Sequence, residues 1–150
     1  MLKVLKVKLL TSTSKVPERA HKGDLYDVFA NEDMEVGAVP VLVGTGIALD
    51  IPEGYHVKLY NRSSNPLKKG LILANSVGII DTNYKDELKC IFYCVPHVIG
   101  AGEVSITHQI KKGDKIAQIE MIPIHDFEIE QVEELDKTND RGGGFGSTGN

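Results

Sequence analysis

Short stretches rich in β-branched and aromatic residues recur along the chain, and turn-forming residues separate them. Turns are indicated at 52–54, 100–102 and 112–114, where proline, glycine or aspartate cluster. Many short strands at this spacing are typical of sandwiches and barrels, so the sequence predicts an all-β fold. The predicted strands are Lys3–Leu10, Val39–Val43, Gly46–Leu49, His56–Tyr60, Leu71–Ala74, Leu88–Val95, Val104–Ile110, Ile116–Pro123 and Phe127–Val132.

One segment departs from the strand pattern and predicts a short helix. Ser63–Gly70 contains a serine N-cap candidate, an early proline and a closing glycine. The start of this helix would offer the Arg62 guanidinium, the hydroxyls of Ser63 and Ser64, and free backbone N–H groups, which together suit an anion. The simpler alternative is a serine cap beside an exposed arginine.

Length and charge restrict the classes of function. A chain of 150 residues is predicted to be one domain, and its net charge of −4 argues against stable nucleic-acid binding. No apolar run approaches the length of a membrane span, so no membrane partner is expected. Cys90 and Cys94 are predicted to be small buried side chains in a reducing compartment, which favours the cytoplasm.

The last residues, Arg141–Asn150, are mostly Gly, Ser and Thr, with one cation and one aromatic ring. Such a segment has little apolar surface to bury, and ordering it costs roughly 1–2 kcal/mol per residue. A phosphate-rich ligand with a flat base would offset that cost through Arg141 and Phe145. We therefore predict a domain at 1–136 and a mobile tail at 137–150; an ordinary disordered terminus is the alternative.

Gly78–Tyr84 has two β-branched residues that run into an Asp-Thr-Asn turn. This pattern predicts a hairpin with Asp81 at its tip and Tyr84 at the start of the next strand. A carboxylate in that position can orient and deprotonate a water molecule. The alternative is an ordinary turn, in which Asp and Asn form local hydrogen bonds.

Three further polar residues are weaker candidates. Gln118 follows a Lys-Gly-Asp turn and is expected to point inward from a strand. Asp24 and Asp27 are separated by two residues, and one of them is a candidate for holding a metal-bound water. Both acids are equally compatible with a solvated loop.

In order, these segments resemble the five motifs of the trimeric dUTP diphosphatases (dUTPases), with a likeness to phage and bacterial members. The matching segments are Leu25–Ala30, Arg62–Ser64, Asn75–Tyr84, Gly113–Gln118 and Arg141–Gly149. The resemblance implies a jelly-roll-like distorted β-barrel that forms a homotrimer with active sites shared between subunits. It also implies Mg2+-dependent hydrolysis of dUTP to dUMP and pyrophosphate.

The third motif supplies the reacting centre in this resemblance. Asp81 is expected to activate the attacking water, and Tyr84 to pack under the deoxyribose, where it leaves no room for a 2′-hydroxyl. Asn75 and the backbone around Gly78 are expected to read the uracil edge.

The other motifs are expected to bind phosphates and metal. Asp27 would hold a water on Mg2+, with Asp24 as a rival because the first motif departs from the family pattern. A second departure is the Lys85-Asp86 pair that follows Tyr84, where the family has glycine; Lys85 is expected to face solvent, and contact with a phosphate is the alternative. The residues expected on the phosphates or in the closing tail are Arg62, Ser63, Ser64, Gln118, Arg141, Phe145, Gly146 and Ser147.

Two alternatives stay open at this level. A dCTP deaminase-like relative would need a glutamate at the base ring, for which Glu87 and Glu103 are the candidates. A dUTPase-like regulatory protein would bind another protein and use the nucleotide as a switch.

Overall fold

The computed structural model describes residues 3–144, and within them the chain forms short strands and one helix. The strands are β1 (Lys6–Leu9), β2 (Tyr26–Phe29), β3 (Met34–Val36), β4 (Val41–Asp50), β5 (Tyr55–Asn61), β6 (Leu71–Leu73), β7 (Val77–Ile80), β8 (Glu87–Cys94), β9 (His97–Ile99), β10 (Glu103–Ser105), β11 (His108–Ile110) and β12 (Lys115–Pro123), and helix α1 is Ser64–Lys69.

Two four-stranded antiparallel sheets form the body of the protein. The first sheet has the strand order β1-β4-β8-β6, and the second has the order β2-β12-β5-β7. Two-stranded ribbons, β9–β10 and β3–β11, complete the fold. Apolar residues from both sheets form one buried cluster, which confirms the all-β prediction. In residues 3–144 both sheets are open and neither closes into a barrel.

Alternating side chains explain why the two sheets pack together. In β8, Leu88, Cys90, Phe92 and Cys94 are buried, and the residues between them are more exposed. Because successive side chains of a strand point to opposite faces, every second residue enters the core. Burial of an aliphatic or aromatic side chain of this size stabilises the fold by about 1.5–3 kcal/mol.

The stretches Val39–Val43 and Gly46–Leu49, predicted as separate strands, fall in one strand, β4, which begins only at Val41. Its pairing with β8 is irregular between Gly44 and Ala48. Gly46 has φ +68°, and a Cβ there would lie 2.3 Å from the Ser14 hydroxyl, so a side chain is excluded. A bulge at this point allows the strand to continue past the glycines that indicated a break.

Other strand predictions need correction. Val104–Ile110 is not one strand, because β10 and β11 pair in different ribbons. The predicted strand Phe127–Val132 is wrong: this stretch is exposed and has no strand pairing within the described part of the chain. Phe127 and Ile129 are 77% and 89% exposed, so the apolar side chains of this stretch do not enter the core of the single chain.

The predicted helix is confirmed as α1. Gly70 ends it in the left-handed conformation with φ 61°, and its N–H donates to the Asn65 carbonyl. Asn65 is fully buried and donates from its side chain to Asn61 Oδ1 and to the Ile116 carbonyl, each at 2.8 Å. These bonds fix the start of α1 against β5 and β12. No helix in residues 3–144 is long and apolar enough to cross a membrane.

Candidate active site

A pocket forms where the chain passes twice between the two sheets. From β6 in the first sheet the chain crosses to β7 in the second sheet, and it then returns to β8 in the first. A cavity of about 300 Å3 lies beside these crossings. Its walls include Asn75, Gly78, Asp81 and Tyr84, so the structure brings together the third-motif residues that the sequence singled out.

The turn at Asp81 is not the predicted hairpin. β7 pairs with β5, whereas β8 pairs with β4 and β6, so the two strands that flank the turn belong to different sheets. Tyr84 lies within the turn, and β8 begins only at Glu87. A local sequence pattern shows where a strand stops but not which strand becomes its partner. The crossing matters because it leaves open space between the sheets beside Asp81.

Hydrogen bonds hold the Asp81 turn in place. The Tyr84 N–H donates to the Asp81 carbonyl at 3.1 Å. The Tyr84 hydroxyl donates to the Glu87 carbonyl at 2.9 Å, and the Thr82 hydroxyl donates to the Tyr55 carbonyl at 2.5 Å. The Asp81 carboxylate itself is exposed at the mouth of the cavity. The aromatic ring of Tyr84 is therefore oriented, and the carboxylate beside it is accessible to solvent and ligand.

The other crossing turn positions Asn75. Ser76 has φ 61° and is the only non-glycine residue with positive φ in residues 3–144. Such a conformation costs of order 1–3 kcal/mol and is concentrated at functional sites. At Gly78 a Cβ would lie 3.3 Å from Leu59 Cβ and 3.6 Å from Asn75 Nδ2. Glycine therefore keeps the cavity wall clear next to the Asn75 amide.

A second polar cluster lies around Asp27, which is 6% exposed. One carboxylate oxygen lies 3.2 Å from Arg62 Nε and accepts a hydrogen bond from Gln118 Nε2 at 3.1 Å. The other oxygen lies 2.9 Å from Lys115 Nζ. Arg62 also donates to the Lys115 carbonyl at 3.2 Å. We call Asp27, Arg62, Lys115 and Gln118 the cationic cluster, because its two cations exceed its single carboxylate.

The cationic cluster keeps Asp27 ionised. Burial alone would raise the pKa of Asp27. The hydrogen bonds from Lys115 and Gln118, together with the charges of Arg62 and Lys115, outweigh burial and hold this pKa below its ordinary value. The remaining positive charge suits an anionic ligand such as a phosphate.

Sequence reasoning missed Lys115. The pairing of β12 with β2 shifts between Lys115 and Ala117, and this irregularity lets Lys115 and Gln118 reach the same carboxylate. Strict alternation would place residues three apart on opposite faces. No periodic pattern in the sequence indicates the irregularity, so only the structure identifies this lysine.

The structure distinguishes between the two candidate acids of the first motif. Asp24 is exposed and accepts the backbone N–H of His21 at 3.0 Å, so it stabilises a local turn away from the cationic cluster. In residues 3–144 no group of three or more His, Cys, Asp or Glu could hold a metal directly. Mg2+ commonly keeps several waters and binds through one or two carboxylates plus substrate phosphates. Asp27 fits that mode, since an ionised carboxylate retains further acceptor sites beyond its present bonds.

In a single chain the cavity and the cationic cluster are separate. None of the cluster residues lines the cavity. In-register pairing runs across the second sheet from Asp27 through Gln118 and Tyr60 to Val77, which is three strand spacings or roughly 14 Å. Val77 is exposed and Gly78, the next residue, is buried, so Gly78 lies on the face of the sheet opposite to the Val77 side chain. Within one chain the cavity and the cationic cluster therefore lie at opposite edges of the second sheet.

The remaining predicted site residues lie in neither of these two groups. Ser63 is the N-cap of α1 and makes no capping hydrogen bond with its side chain, and Ser64 begins the helix. Arg141 is exposed in a segment without helix or strand that begins at residue 124. The predictions for Phe145, Gly146 and Ser147 lie outside the described residues.

The two candidates for the glutamate that the deaminase alternative requires lie away from the cavity walls. Glu87 Oε1 accepts the Gly46 N–H at 2.8 Å in the β4 bulge, and Glu87 Oε2 lies 3.6 Å from Lys89 Nζ. Glu103 lies in the β9–β10 ribbon. Neither carboxylate is among the residues that line the cavity.

The fold and these two groups define a class: a two-sheet β protein with an inter-sheet cavity, a carboxylate at its mouth and a separate cationic cluster suited to phosphate. A family profile described as dUTPase matches residues 12–149. The chain therefore belongs to the dUTPase family.

Relatives match over nearly the full length. A deoxyuridine 5'-triphosphate nucleotidohydrolase from Hydrogenobaculum sp. is 38% identical over 148 residues, covering 97% of both chains. The Syntrophotalea carbinolica protein of the same name is 39% identical over 150 residues, covering 97% of this chain and 96% of the relative.

Solved structures agree with this assignment. A mutant of the Staphylococcus bacteriophage 80alpha dUTPase with dUpNHpp has a TM-score of 0.82 and 31% identity, covering 99% of both chains. A mutant dUTPase from phage phi11 of S. aureus has a TM-score of 0.75 and 31% identity, covering 89% of this chain and 99% of that one. The work on the phi11 protein describes the coordination of a structural Mg(II) ion.

Proposed function

We propose that this protein hydrolyses dUTP to dUMP and pyrophosphate, which supplies dUMP and limits uracil incorporation into DNA. The observation that carries the proposal is the convergence of Asn75, Gly78, Asp81 and Tyr84 on one cavity. The names of the full-length relatives support the same substrate. The two buried cysteines, neither of which is in a disulfide, are compatible with a cytoplasmic location.

Asp81 is the proposed general base. Its exposed carboxylate takes a proton from a water molecule as the water oxygen attacks the α-phosphorus. The new bond joins that oxygen to the α-phosphorus, and the bond that breaks joins the α-phosphorus to the oxygen bridging to the β-phosphorus. Pyrophosphate leaves with the bridging oxygen. Such phosphoryl chemistry depends mainly on positioning and charge stabilisation.

The cavity is the proposed site for the nucleoside. The Asn75 amide provides one donor and one acceptor group for the uracil edge, and Gly78 leaves room for the base to approach the strand. The Tyr84 ring, oriented through its bond to the Glu87 carbonyl, packs against the deoxyribose and excludes a 2′-hydroxyl. Specificity for dUTP over UTP then depends on the steric fit between the Tyr84 ring and the deoxyribose.

The cationic cluster and the start of α1 are the proposed phosphate site. Arg62, Lys115 and Gln118 supply donors, to which Ser63 and Ser64 add two hydroxyls. Asp27 would hold Mg2+ through a water, and the bound ion would neutralise charge on the triphosphate. The other bonds of Asp27 keep its carboxylate in a fixed orientation for that contact.

A homotrimer with shared sites is the proposed assembly. The support is the separation of the cavity from the cationic cluster within one chain, because a complete site then needs a second copy. The tail is proposed to close each site as a lid, with Arg141 on the phosphates, Phe145 over uracil, and Gly146 and Ser147 in the closing segment.

A second role as a nucleotide-controlled binding protein is favoured by one comparison. Phage dUTPases related to the 80alpha protein are described as controlling transfer of virulence genes by a G protein-like mechanism. The test is co-purification of a protein partner with and without dUpNHpp. A partner retained in only one nucleotide state supports this role, and no partner in either state contradicts it.

The main test is pyrophosphate release from dUTP, UTP, dCTP and dTTP with Mg2+. Rapid release from dUTP alone, lost in Asp81→Asn, supports both the activity and the base. Binding of dUTP without release would contradict the hydrolase proposal and favour the regulatory role. Ammonia released from dCTP would instead favour the deaminase alternative.

A further inference from the structure

The turn that carries Asp81 and Tyr84 continues directly into a cross-strand charge pair. The β4–β8 ladder pairs Ala48 with Glu87, and the same register two residues further along places Asp50 opposite Lys85. On the other side of β4, the ladder with β1 pairs Lys6 with Asp50. The Asp50 carboxylate therefore lies between two lysines, 2.8 Å from Lys85 Nζ and 3.7 Å from Lys6 Nζ.

Lys85 makes a second contact that Lys6 does not make. Its Nζ donates to the Thr82 carbonyl at 2.9 Å, inside the Asp81 turn. One ammonium group thus connects the end of β4 in the first sheet to the backbone of the crossing turn. The Lys85 hydrogen bond and charge hold the pKa of Asp50 below its ordinary value, so the Asp50 carboxylate stays ionised at neutral pH.

We propose that Lys85 is a positioning residue for dUTP hydrolysis: by bridging Asp50 and the Thr82 carbonyl, it holds the turn so that Asp81 and Tyr84 face the cavity. This inference rests on the proposed function. Lys85 acts through the turn and not through the substrate, because two of the three ammonium donors are already used within the chain.

Because the Asp50–Lys85 pair is exposed, its loss should affect turnover more than the free energy of unfolding. Asp50 and Lys85 side chains are 59% and 52% exposed, and an ion pair in that setting contributes little to global stability. A small shift of reacting groups, in contrast, strongly lowers turnover. Loss of the bridge should therefore change catalysis and leave unfolding nearly unchanged.

The experiment compares Lys85→Met with the matched control Lys6→Met. Both variants remove one lysine charge from Asp50, but only Lys85→Met releases the Thr82 carbonyl. With dUTP and UTP as substrates, we expect Lys85→Met to lower kcat about tenfold and to weaken discrimination against UTP, with little change in Tm. Lys6→Met should keep the kcat and selectivity of the unmodified protein, and Lys85→Arg should keep most of both.

Asp50→Asn separates positioning from direct phosphate contact. If Lys85 positions the turn, Asp50→Asn lowers kcat in the same direction as Lys85→Met, and the double variant loses no more than Lys85→Met alone. If Lys85 binds phosphate, Lys85→Met raises KM at unchanged kcat and Asp50→Asn has no such effect, which would overturn the proposal.

Two failures are distinguishable. Equal kcat and selectivity in the two lysine variants would refute only the positioning role. Absence of dUTP turnover in the unmodified protein would refute the proposed function itself, on which the positioning role rests.

Discussion

Mixing two inactive variants should restore activity if each active site draws on two copies of the chain. Asp81→Asn removes the proposed base from the cavity. Arg62→Met removes one cation of the cationic cluster and costs roughly 1.5–3 kcal/mol of phosphate binding, or about 10- to 150-fold in activity. Each variant on its own should therefore be nearly inactive, and neither substitution touches the other group.

The expected recovery rests on the proposed shared site: within one chain the two edges of the second sheet that carry the groups are roughly 14 Å apart. In the proposed trimeric ring, every oligomer that contains both variants has one interface of its three at which an intact cavity meets an intact cationic cluster, so about one third of its sites regain both groups. Mixed oligomers purified through both tags should therefore recover about one third of the specific activity of the unmodified protein.

The assay is pyrophosphate release from dUTP after the two variants are co-expressed with different affinity tags and purified through both. Native mass spectrometry verifies that mixed oligomers are present. The matched control is a mixture of two differently tagged Asp81→Asn chains, which should recover nothing. Verified mixed oligomers with no activity above that of the parents would refute the shared-site argument and return the complete site to a single chain.

Three further outcomes are expected. Tyr84→Ala should weaken discrimination against UTP, measured as the ratio of kcat/KM for the two nucleotides; an unchanged ratio would mean that the sugar is read elsewhere. A chain ending before Arg141 should remain a folded oligomer by size-exclusion chromatography but lose most turnover, and full turnover would contradict the lid. The pKa of Asp27 lies below its ordinary value of 3.8, so the stabilisation from its ion pairs is present above pH 3.8 and is lost as the pH falls through the folded-state value. The Tm difference between the unmodified protein and Asp27→Asn should therefore narrow below pH 3.8, and a difference independent of pH would contradict this account.

Local sequence patterns predicted the elements whose structure depends on near neighbours. The helix at Ser64–Lys69 follows from a proline and a closing glycine within one short stretch, whereas the predicted serine cap makes no side-chain hydrogen bond. The core residues of β8 follow from strict alternation. The closing glycine acts within a few residues along the chain, and the alternation in β8 reflects burial of one strand face; the bond from Asn65 to the Ile116 carbonyl is the long-range contact that the pattern did not indicate.

The predictions from local patterns were wrong where they depended on strand pairing, because the fold decides which strand pairs with which. The predicted strand at Phe127–Val132 has the composition of a strand but no neighbour to pair with in the described chain. The Asp81 turn has the composition of a hairpin, but its two flanking strands pair in different sheets. Strand pairing is a long-range interaction, and residue composition carries little information about it.

The sequence by itself determined the all-β class, the short helix and the side chains of the candidate site, because these follow from periodicity, a closing glycine and side-chain type. Tertiary structure alone decided the crossing that opens the cavity beside Asp81, the irregular register that brings Lys115 to Asp27, and the contact of Lys85 with the crossing turn. The physical reason is that strand order and register depend on the packing of distant segments, and a shift of one residue moves a side chain to the other face of its sheet.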